Sequence, residues 1–237
     1  MLPITERLQQ QDWQKAATDL HAQGHALLPN ILQQHECDTL IAAYNADDTY
    51  RKTISMERYR FGQGQYKYFR YPLPALISDI RQTVYPYLAP VANKWMEVLN
   101  IATRFPPTLA ELKSLCDAKG QTQPTVLILQ YGPGGFNTLH QDLYGEVYFP
   151  MQLVLFLNEP GTDYTGGEFV LTEQIPRAQS KANVLQPRRG DMLLFTTNFR
   201  PAKGSKGYYR VNMKHGVSPL HSGNRHTLGI IFHDAES

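Results

Sequence analysis

The sequence predicts an α+β protein in which helices come first and short strands follow. The N-terminal half carries apolar residues at helical spacing, bounded by capping residues, glycine or proline. From Thr125 onward, short apolar segments are separated by Gly, Pro and Asn, which is typical of strands joined by tight turns. About seven or eight such strands favour an antiparallel sandwich or barrel. We expect the helices of the N-terminal half to pack on this β core.

The first two predicted helices lie on either side of a short apolar strand at 26–28. Asp12 can cap the first helix, and Gly24 ends it. The second helix carries Cys37 and Tyr44 on its apolar face. Both apolar faces indicate packing against the core of the protein.

Two further helices are predicted before the strands begin. One spans about 76–99, and Pro86 and Pro90 are expected to break or kink it because proline lacks the amide hydrogen that a helix uses. In the other, Thr108 and Glu111 form the capping-box pattern ahead of an apolar stripe.

The predicted strands and helices divide the chain into two parts of one domain. We expect strands at about 125–131, 148–157, 167–172, 183–186, 192–197, 208–215 and 226–233. The length of 237 residues fits a single domain, 1–237. Within it, 1–122 is predicted to be a mainly helical extension with substrate-side loops, and 123–237 to be the β core.

The composition argues against several classes of protein. Apolar residues make up 42% and charged residues 19% of the chain, which is ordinary for a globular domain. No apolar run approaches the ~18 residues that a membrane helix needs, and Met1–Leu20 lacks the apolar centre of a signal peptide. The two cysteines, Cys37 and Cys116, provide no disulfide framework and fit a reducing compartment. We therefore expect a cytoplasmic protein that does not bind a membrane.

One stretch carries the chemistry, the strand that ends at Tyr131 and the His140-x-Asp142 pair beyond the following turn. Side chains two positions apart in an extended backbone point to the same side, so this imidazole and carboxylate can converge on one point. They would supply two of the three ligands of a 2-His-1-carboxylate facial triad. The pair alone is weak evidence, because such pairs also occur on protein surfaces.

His215 is the predicted third ligand, and Arg225 lies ten positions beyond it. A strand ends at His215 and the next begins at Arg225, so a hairpin can place an imidazole near the metal and a guanidinium deeper in the pocket. Three rivals exist. His221 lies in the predicted turn, His226 should face away from Arg225, and His233 lies at the far end of the last strand.

These motifs resemble the Fe(II)/2-oxoglutarate dioxygenases. The resemblance rests on His140-x-Asp142, His215 and Arg225, and extends to Gly166-Gly-Glu-Phe169 and Gly190-Asp-Met-Leu-Leu-Phe195. It covers about 125–234 well and the N-terminal half weakly.

Within that superfamily, two narrower similarities appear. The segment Tyr131-Gly-Pro-Gly together with Leu139-His-Gln-Asp142 resembles the alkylated-nucleic-acid repair dioxygenases, where a Tyr nine residues before the first His binds 2-oxoglutarate. The whole chain is similar to a bacterial family of uncharacterised oxygenases with a suggested role in oxidative demethylation of damaged DNA.

The resemblance implies a fold, a cofactor set and a reaction. The fold would be a double-stranded β-helix, a jelly-roll-like core. Fe(II) would be held by His140, Asp142 and His215, and the co-substrate 2-oxoglutarate by Arg225 and Tyr131, with O2 as the oxidant. The reaction would hydroxylate a substrate C–H bond with release of succinate and CO2, and on an N-methyl group it would release formaldehyde.

The local distribution of charge adds a hypothesis about the substrate. The net charge of +2 is uninformative, but 50–71 contains six basic residues, one acid and seven aromatics, and 174–214 contains nine basic residues and one acid. Basic groups for phosphates and aromatic faces for bases are what single-stranded or flipped-base recognition needs. The candidate substrate residues are Arg58, Arg60, Tyr66, Tyr68, Arg188 and Arg189. A solvated loop with tyrosines packed on the core, or a peptide-binding lid, fits the first segment equally well.

Other functions fit parts of the pattern. A cupin-like protein could use the triad for a different metal role, and a silent binding module could share the fold. Arg225 argues against both, because a structural metal site needs no carboxylate clamp. Among oxygenases, a protein side-chain hydroxylase of the prolyl type and a small-molecule hydroxylase stay open as alternatives to nucleic-acid demethylation.

Overall fold

Helices and strands alternate in the first half of the chain, and strands dominate the second. The structure, a computed structural model, describes residues 2–175 and 177–237. Its helices are α1 (Ile4–Gln9), α2 (Trp13–Gln23), α3 (Gln34–Ala42), α4 (Met56–Tyr59), α5 (Ala75–Val98) and α6 (Leu109–Asp117), with 3-10 turns at Ala43–Asn45 and Asp47–Thr49. Its strands are β1 (His25–Leu28), β2 (Tyr50–Ser55), β3 (Gly62–Gln63), β4 (Gln65–Phe69), β5 (Leu127–Tyr131), β6 (Phe136–His140), β7 (Met151–Phe156), β8 (Tyr164–Gly166), β9 (Phe169–Gln174), β10 (Lys181–Leu185), β11 (Met192–Thr196), β12 (Phe199–Gly204), β13 (Gly207–Val217), β14 (Leu220–Gly223) and β15 (Arg225–Ile231).

Two antiparallel sheets face each other and form the β core. The larger sheet has the strand order β1–β11–β7–β15–β5–β4–β2, and the smaller has the order β10–β9–β13–β6–β3, with β12 paired to β13. From β5 to β15 the chain passes repeatedly between the sheets: β5, β7, β11 and β15 belong to the larger, and β6, β9, β10 and β13 to the smaller. This is the double-stranded β-helix, a jelly-roll arrangement, so the predicted α+β fold class is confirmed.

Strand β7 shows how the two layers are filled. All of its residues are buried, because alternate side chains point into two different cores. Leu153 and Leu155 pack with the helices, including Trp95 of α5. Val154 and Phe156 point between the sheets. The helices therefore cover the outer face of the larger sheet, and the space between the sheets is left for the site.

The predicted helix caps are confirmed. Asp12 accepts a hydrogen bond from the Lys15 amide at 2.8 Å, and Gly24 ends α2 in a left-handed conformation with φ of 76°. Thr108 and Glu111 form both hydrogen bonds of a capping box at the start of α6.

Of the break or kink expected at Pro86 and Pro90, the break is wrong, because α5 runs without interruption from Ala75 to Val98. Both prolines lie on the exposed face, as does Gln82. The carbonyls of Gln82 and Pro86 lose their amide partners, and water can replace them there. The opposite face of α5 is anchored in the core, so packing outweighs the lost hydrogen bonds. None of the helices in the described ranges is both long and apolar enough to cross a membrane.

The segment 50–69 is not a loop outside the core. Strand β4 pairs with β5 and β2 pairs with β4, so two strands of the N-terminal half extend the larger sheet. Strand β3 pairs with β6 and so borders the smaller sheet. The expectation of a mainly helical 1–122 missed these strands, although the run Gln-Tyr-Lys-Tyr-Phe at 65–69 has the aromatic composition of a strand.

In the C-terminal half, each of the seven expected strands matches an observed strand. The strands β6, β8, β12 and β14 were not expected. They are short, and β12 contains Pro201, whose missing amide hydrogen disfavours a strand by sequence alone.

Candidate active site

Three side chains converge where strands β6 and β13 lie side by side. His215 is directly opposite His140 in the antiparallel register, and Asp142 follows two residues after β6 ends. His215 Nε2 lies 3.2 Å from Asp142 Oδ2, and His140 Nε2 lies 3.5 Å from Asp142 Oδ1. One ligand atom from each of the three residues lies within 4.8 Å of the others. This is the geometry that a facial triad requires, with a metal ion at the centre.

The two imidazoles are oriented by different means. His140 Nδ1 lies 2.8 Å from the Thr138 carbonyl, and this hydrogen bond makes Nδ1 the donor and leaves the Nε2 lone pair free. His215 Nδ1 has no hydrogen-bond partner within the described chain. Its ring instead stacks on Phe169, with centroids 5.9 Å apart and planes at 16°, and contacts the Phe195 ring at 4.8 Å. Aromatic packing therefore holds the second ligand in place.

The protonation states also suit metal binding. Burial opposes ionisation of Asp142, but the neighbouring His215 and His140 imidazoles keep the pKa of its carboxyl below the usual value. Burial and the neighbouring His140 lower the pKa of His215. Near neutral pH the site therefore offers one carboxylate and a neutral imidazole at His215, the forms that bind a divalent metal.

A second hydrogen-bonded shell supports Asp142. The Tyr144 hydroxyl donates to Asp142 Oδ1 at 3.0 Å, and the Tyr68 hydroxyl donates to Tyr144 at 3.3 Å. These contacts restrict the rotation of the carboxylate. Sequence analysis missed Tyr144, although its position two residues after Asp142 placed it on the same side of an extended chain.

Arg225 and Tyr131 form an open polar cradle deeper between the sheets. Their backbones are paired in register on β15 and β5. Arg225 is 1% exposed and Tyr131 is 0% exposed, yet Arg225 Nε, Arg225 Nη1 and the Tyr131 hydroxyl have no hydrogen-bond partner among the residues described. A buried guanidinium without a counter-charge is costly to maintain. A carboxylate that enters from outside would satisfy these donors, so the residues fit one end of 2-oxoglutarate.

A single cavity joins the cradle to the triad. Its volume is about 260 Å³, and all five predicted cofactor residues line it. Val154, Phe169 and Leu129 form part of a largely apolar wall, which excludes water. One compartment can therefore hold a metal, a dicarboxylate and a small reacting group.

Gln152 is a further polar residue of this cavity that sequence analysis missed. It is 3% exposed, and its side chain lies beside Asp142, where a hydrogen bond from it helps to keep the pKa of that carboxyl low. The signal was present in the sequence, because Gln152 is the one polar side chain in the apolar strand β7.

The structure separates the predicted substrate residues into three groups. Tyr66 and Tyr68 line the cavity from β4. Arg58 at the end of α4 and Arg60 just after it are both exposed, next to Phe61, which lines the cavity. Arg58 and Arg60 therefore lie at the rim and not inside the cavity.

Arg188 and Arg189 lie away from this rim. Arg189 donates to Asp163 at 2.6 Å, and the following Gly190 amide donates to the Phe156 carbonyl at the end of β7. The metal side of the cavity lies at the start of that strand, near Gln152. The charge cluster at 188–189 is thus at the opposite end of the barrel, and the structure does not bring it to the site.

The rival histidines do not join the triad. His226 contacts Asn158 and the edge of Tyr44, on the face opposite to Arg225, as expected. His233 is fully buried and accepts a hydrogen bond from the Phe149 amide. His221 lies on β14 and is exposed.

The fold and the family match together define an oxygenase, and the His140–Asp142–His215 triad is its candidate metal site. The chain belongs to the family Oxygenase-NA, described as an oxygenase catalysing oxidative methylation of damaged DNA, whose pattern matches residues 64–235. Two proteins of Mycobacterium tuberculosis, named uncharacterized protein MT2286 and uncharacterized protein Rv2227, are each 46% identical over 167 residues, which is 70% of this chain and 72% of theirs.

Solved structures show the same fold at low sequence identity. A prolyl-4-hydroxylase of Pseudomonas putida has a TM-score of 0.57 and 15% identity, and the match covers 95% of this chain and all (100%) of that one. An oxidoreductase of the 2OG-Fe(II) oxygenase family from Burkholderia pseudomallei has a TM-score of 0.55 and 14% identity, and the match covers 95% of this chain and 94% of that one. At these identities the similarity concerns the fold.

Proposed function

We propose that this oxygenase removes N-methyl groups from alkylated nucleic acid by hydroxylating them. The observation that carries the reaction is the unpaired Arg225–Tyr131 cradle, which shares one cavity with the His140–Asp142–His215 triad. The substrate class rests on the description of the family and on the basic and aromatic rim of the cavity.

Each residue of the site then has a defined task. His140, Asp142 and His215 would hold Fe(II), and Arg225 and Tyr131 would hold the distal carboxylate of 2-oxoglutarate. When bound, Fe(II) and 2-oxoglutarate supply the activation of dioxygen and the hydroxylation of a C–H bond, with release of succinate and CO2. The protein orients the reacting groups and keeps water out.

The aromatic side of the cavity would position the methylated base. Tyr66 and Tyr68 meet at a right angle with centroids 5.4 Å apart, and burial raises the pKa of both hydroxyls, so both stay neutral. At the rim, Tyr59 and Phe61 stack at 5.5 Å with planes at 19°, and both are about half exposed. Flat aromatic faces of this kind can stack on an unpaired base, while Arg58 and Arg60 contact phosphates.

A direct test is release of formaldehyde from N-methylated single-stranded oligonucleotides in the presence of Fe(II), 2-oxoglutarate and oxygen. We expect formaldehyde and succinate in equal amounts, and neither product from His215→Ala, which lacks one metal ligand. Unmethylated oligonucleotide serves as the matched control substrate. Succinate formation without any formaldehyde across a panel of methylated bases would contradict the demethylase function, while the oxygenase activity itself would stand.

A protein side-chain hydroxylase of the prolyl type is the second candidate. The observation that favours it is the exposed Tyr59–Phe61 pair beside the cavity, which could also cover a peptide. The same assay with peptide and metabolite pools discriminates between these functions, because the true substrate should stimulate succinate formation above the uncoupled rate.

A further inference from the structure

The hairpin formed by β12 and β13, hereafter the basic hairpin, projects past the metal site. Strand β6 ends at His140, which is paired with His215, and the earlier residues of β13 continue beyond that end. Pairing of β13 with β9 begins at Asn212, so residues 207–211 pair with β12 alone. The tip precedes Gly207, and β13 continues without a break from Gly207 to His215, a length of about 26 Å at ~3.3 Å per strand residue. This distance places the tip outside the cavity, on the side where β6 leads out of the barrel.

The hairpin carries an unbalanced positive charge. Residues 199–217 contain no acid, and in fact no Asp or Glu occurs between Asp191 and Asp234. Arg200 is neutralised by Glu173, which accepts from Arg200 Nη2 at 2.8 Å. The remaining basic residues are Lys203, Lys206, Arg210 and Lys214. All of them are exposed, and none has an ion pair within the residues that the structure describes.

Aromatic surface accompanies this charge. Tyr208 is 47% exposed and lies directly opposite Lys203 in the hairpin register. Along β13, the exposed residues Tyr208, Arg210 and Lys214 alternate with buried Val211 and Met213, so the three share one face of the strand. Like charges on one face repel each other unless an anion binds between them.

The hairpin lies on one flank of the catalytic strand, and a second basic element lies on the other. Strand β6 is bordered by β13 on one side and by β3 on the other. The turn with Arg58, Arg60 and Phe61 leads into β3, and the Phe61 carbonyl accepts from the Thr138 amide at 2.8 Å. A polyanion that delivers one group into the cavity could therefore contact positive charge on both flanks.

We propose that the basic hairpin binds the phosphate backbone of a single-stranded nucleic acid, several nucleotides away from the reacting base. The inference rests on the proposed function and deepens it, because it assigns a second contact site outside the cavity. Lys203 and Lys206 contact phosphates, and Tyr208 stacks on a base between them.

The experiment compares binding of a fluorescent 15-nucleotide strand and of a trinucleotide by fluorescence anisotropy over a range of salt concentrations. The trinucleotide can fill the cavity but is too short to reach the tip. For the long strand, Lys206→Glu should weaken binding about tenfold at low salt and lower the log–log salt slope by roughly 0.7. For the trinucleotide, Lys206→Glu should have no effect.

Two further variants sharpen the result. Arg188→Glu makes the same charge change within the same basic segment but at the opposite end of the barrel, so its affinity for the long strand should match the wild type. Tyr208→Ala should weaken binding of the long strand by a factor that does not change with salt, because stacking involves no counterion release. Thermal unfolding checks that each variant is folded.

The outcomes separate this inference from the proposed function. Equal binding by Lys206→Glu and Arg188→Glu, with methylated strands still demethylated, would overturn the hairpin assignment alone. A wild-type protein that neither binds nor demethylates any strand at low salt would overturn the nucleic-acid function itself. Full competition by an acidic peptide, with the same salt slope, would reassign the hairpin to a protein partner.

Discussion

Two buried arginines, Arg81 of α5 and Arg225 of β15, show how differently one side chain is used in this protein. Arg81 Nη2 donates to Asp234 Oδ1 at 2.7 Å, and Arg81 Nη1 donates to the Tyr71 hydroxyl at 2.7 Å. Arg225 has no ion pair within the described chain, and its Nε and Nη1 lack hydrogen-bond partners. The first arginine is neutralised by Asp234, whereas the second has no carboxylate partner among the residues described.

The neighbours of the two arginines repeat this contrast. The Tyr71 hydroxyl donates to Asp234 Oδ2 at 2.8 Å, whereas the Tyr131 hydroxyl beside Arg225 has no partner in the part of the chain described. The Arg81 cluster joins α5 to the C-terminal end of the chain, and Asp234 closes it as an ion-paired network, although Arg81 Nε itself has no partner among the residues described. The Arg225 cradle has the same residue types but lacks the carboxylate. The missing partner is what marks a binding site, because buried polar groups in a folded protein are otherwise satisfied.

The largest effect is expected from breaking the closed network. Arg81→Ala leaves the Asp234 carboxylate buried without a counter-charge, and we expect the free energy of unfolding to fall by about 3–5 kcal/mol. Urea unfolding measures this change. Arg225→Ala is the matched control, since it removes a buried charge that has aromatic neighbours but no ion-pair partner in the described chain. We expect its free protein to be no less stable than the wild type, and equal losses in the two variants would contradict the comparison.

The second prediction concerns the affinity for 2-oxoglutarate. Arg225→Ala should weaken it by about 2–5 kcal/mol, because the distal carboxylate loses its desolvated ion pair. Isothermal titration without oxygen measures the affinity, and a parallel titration measures Fe(II) binding, which should change far less. In the folded fraction of Arg81→Ala, 2-oxoglutarate should bind as in the wild type. Unchanged co-substrate affinity in Arg225→Ala would exclude the clamp.

The stability of the protein is expected to depend on pH through two buried histidines, one in each region. His226 is adjacent to Arg225 in the sequence, and His233 is adjacent to Asp234, the partner of Arg81. Burial lowers the pKa of His226, which follows Arg225, to about 4, and lowers that of His233, which precedes Asp234, to about 3. An unfolded histidine has a pKa of about 6.5. Between pH 6.5 and about 4, the unfolded chain therefore binds more protons than the folded one.

Stability is then complete above pH 6.5 and is lost as the pH falls, by about 1.4 kcal/mol for each pH unit and each histidine. Urea unfolding at pH 7, 6 and 5 measures this slope. His226→Gln and His233→Gln should each reduce the slope of the unfolding free energy against pH by about 1.4 kcal/mol per pH unit, which corresponds to one proton. A free energy of unfolding that stays constant from pH 7 to pH 5 would show that neither histidine is kept neutral.

A smaller effect is expected at Tyr144, whose hydroxyl donates to Asp142 beside the triad. Tyr144→Phe removes the hydrogen bond to Asp142 Oδ1, and we expect Fe(II) binding to weaken about tenfold. Competition with a chelating dye measures the affinity. Tyr66→Phe is the control, since Tyr66 lines the same cavity without a hydrogen bond to Asp142. The same affinity in Tyr144→Phe as in Tyr66→Phe would show that Asp142 needs no such support.

The smallest expected effects are those of removing the hydroxyl of Tyr131 or of Tyr71, and they should fall on different properties. Tyr131→Phe should weaken 2-oxoglutarate binding by about 1 kcal/mol, the value of one hydrogen bond, and change stability far less than Tyr71→Phe, because no buried carboxylate depends on the Tyr131 hydroxyl. Tyr71→Phe should lower the free energy of unfolding by a similar amount and leave 2-oxoglutarate binding unchanged. If the two substitutions affect the same property, the division between a structural and a ligand-binding arginine is wrong.

The sequence by itself determined the fold class, and it predicted the candidate metal ligands and the proposed clamp arginine before the structure brought them into one cavity. His140 and Asp142 lie two positions apart, and such local spacing has a direct geometric meaning in an extended chain. The predicted roles of His215 and Arg225 came from the positions of two strand ends and from the resemblance to a known superfamily. The capped ends of α2 and α6 could be predicted for the same reason, since a cap depends on residues only a few positions apart.

Other features were decided by the tertiary structure. The course of α5 through Pro86 and Pro90 depends on which face of the helix the core buries. Segment 50–69 forms strands because β4 pairs with the edge of β5, a contact between residues that are distant in sequence. The tertiary structure also decides which basic residues lie near the site. Arg188 and Lys206 belong to one basic segment of the chain, yet they lie at opposite ends of the barrel. A sequence records neighbours along the chain, whereas a cavity and its rim are built from residues that are distant in sequence, and their positions depend on the packing of the whole sheet.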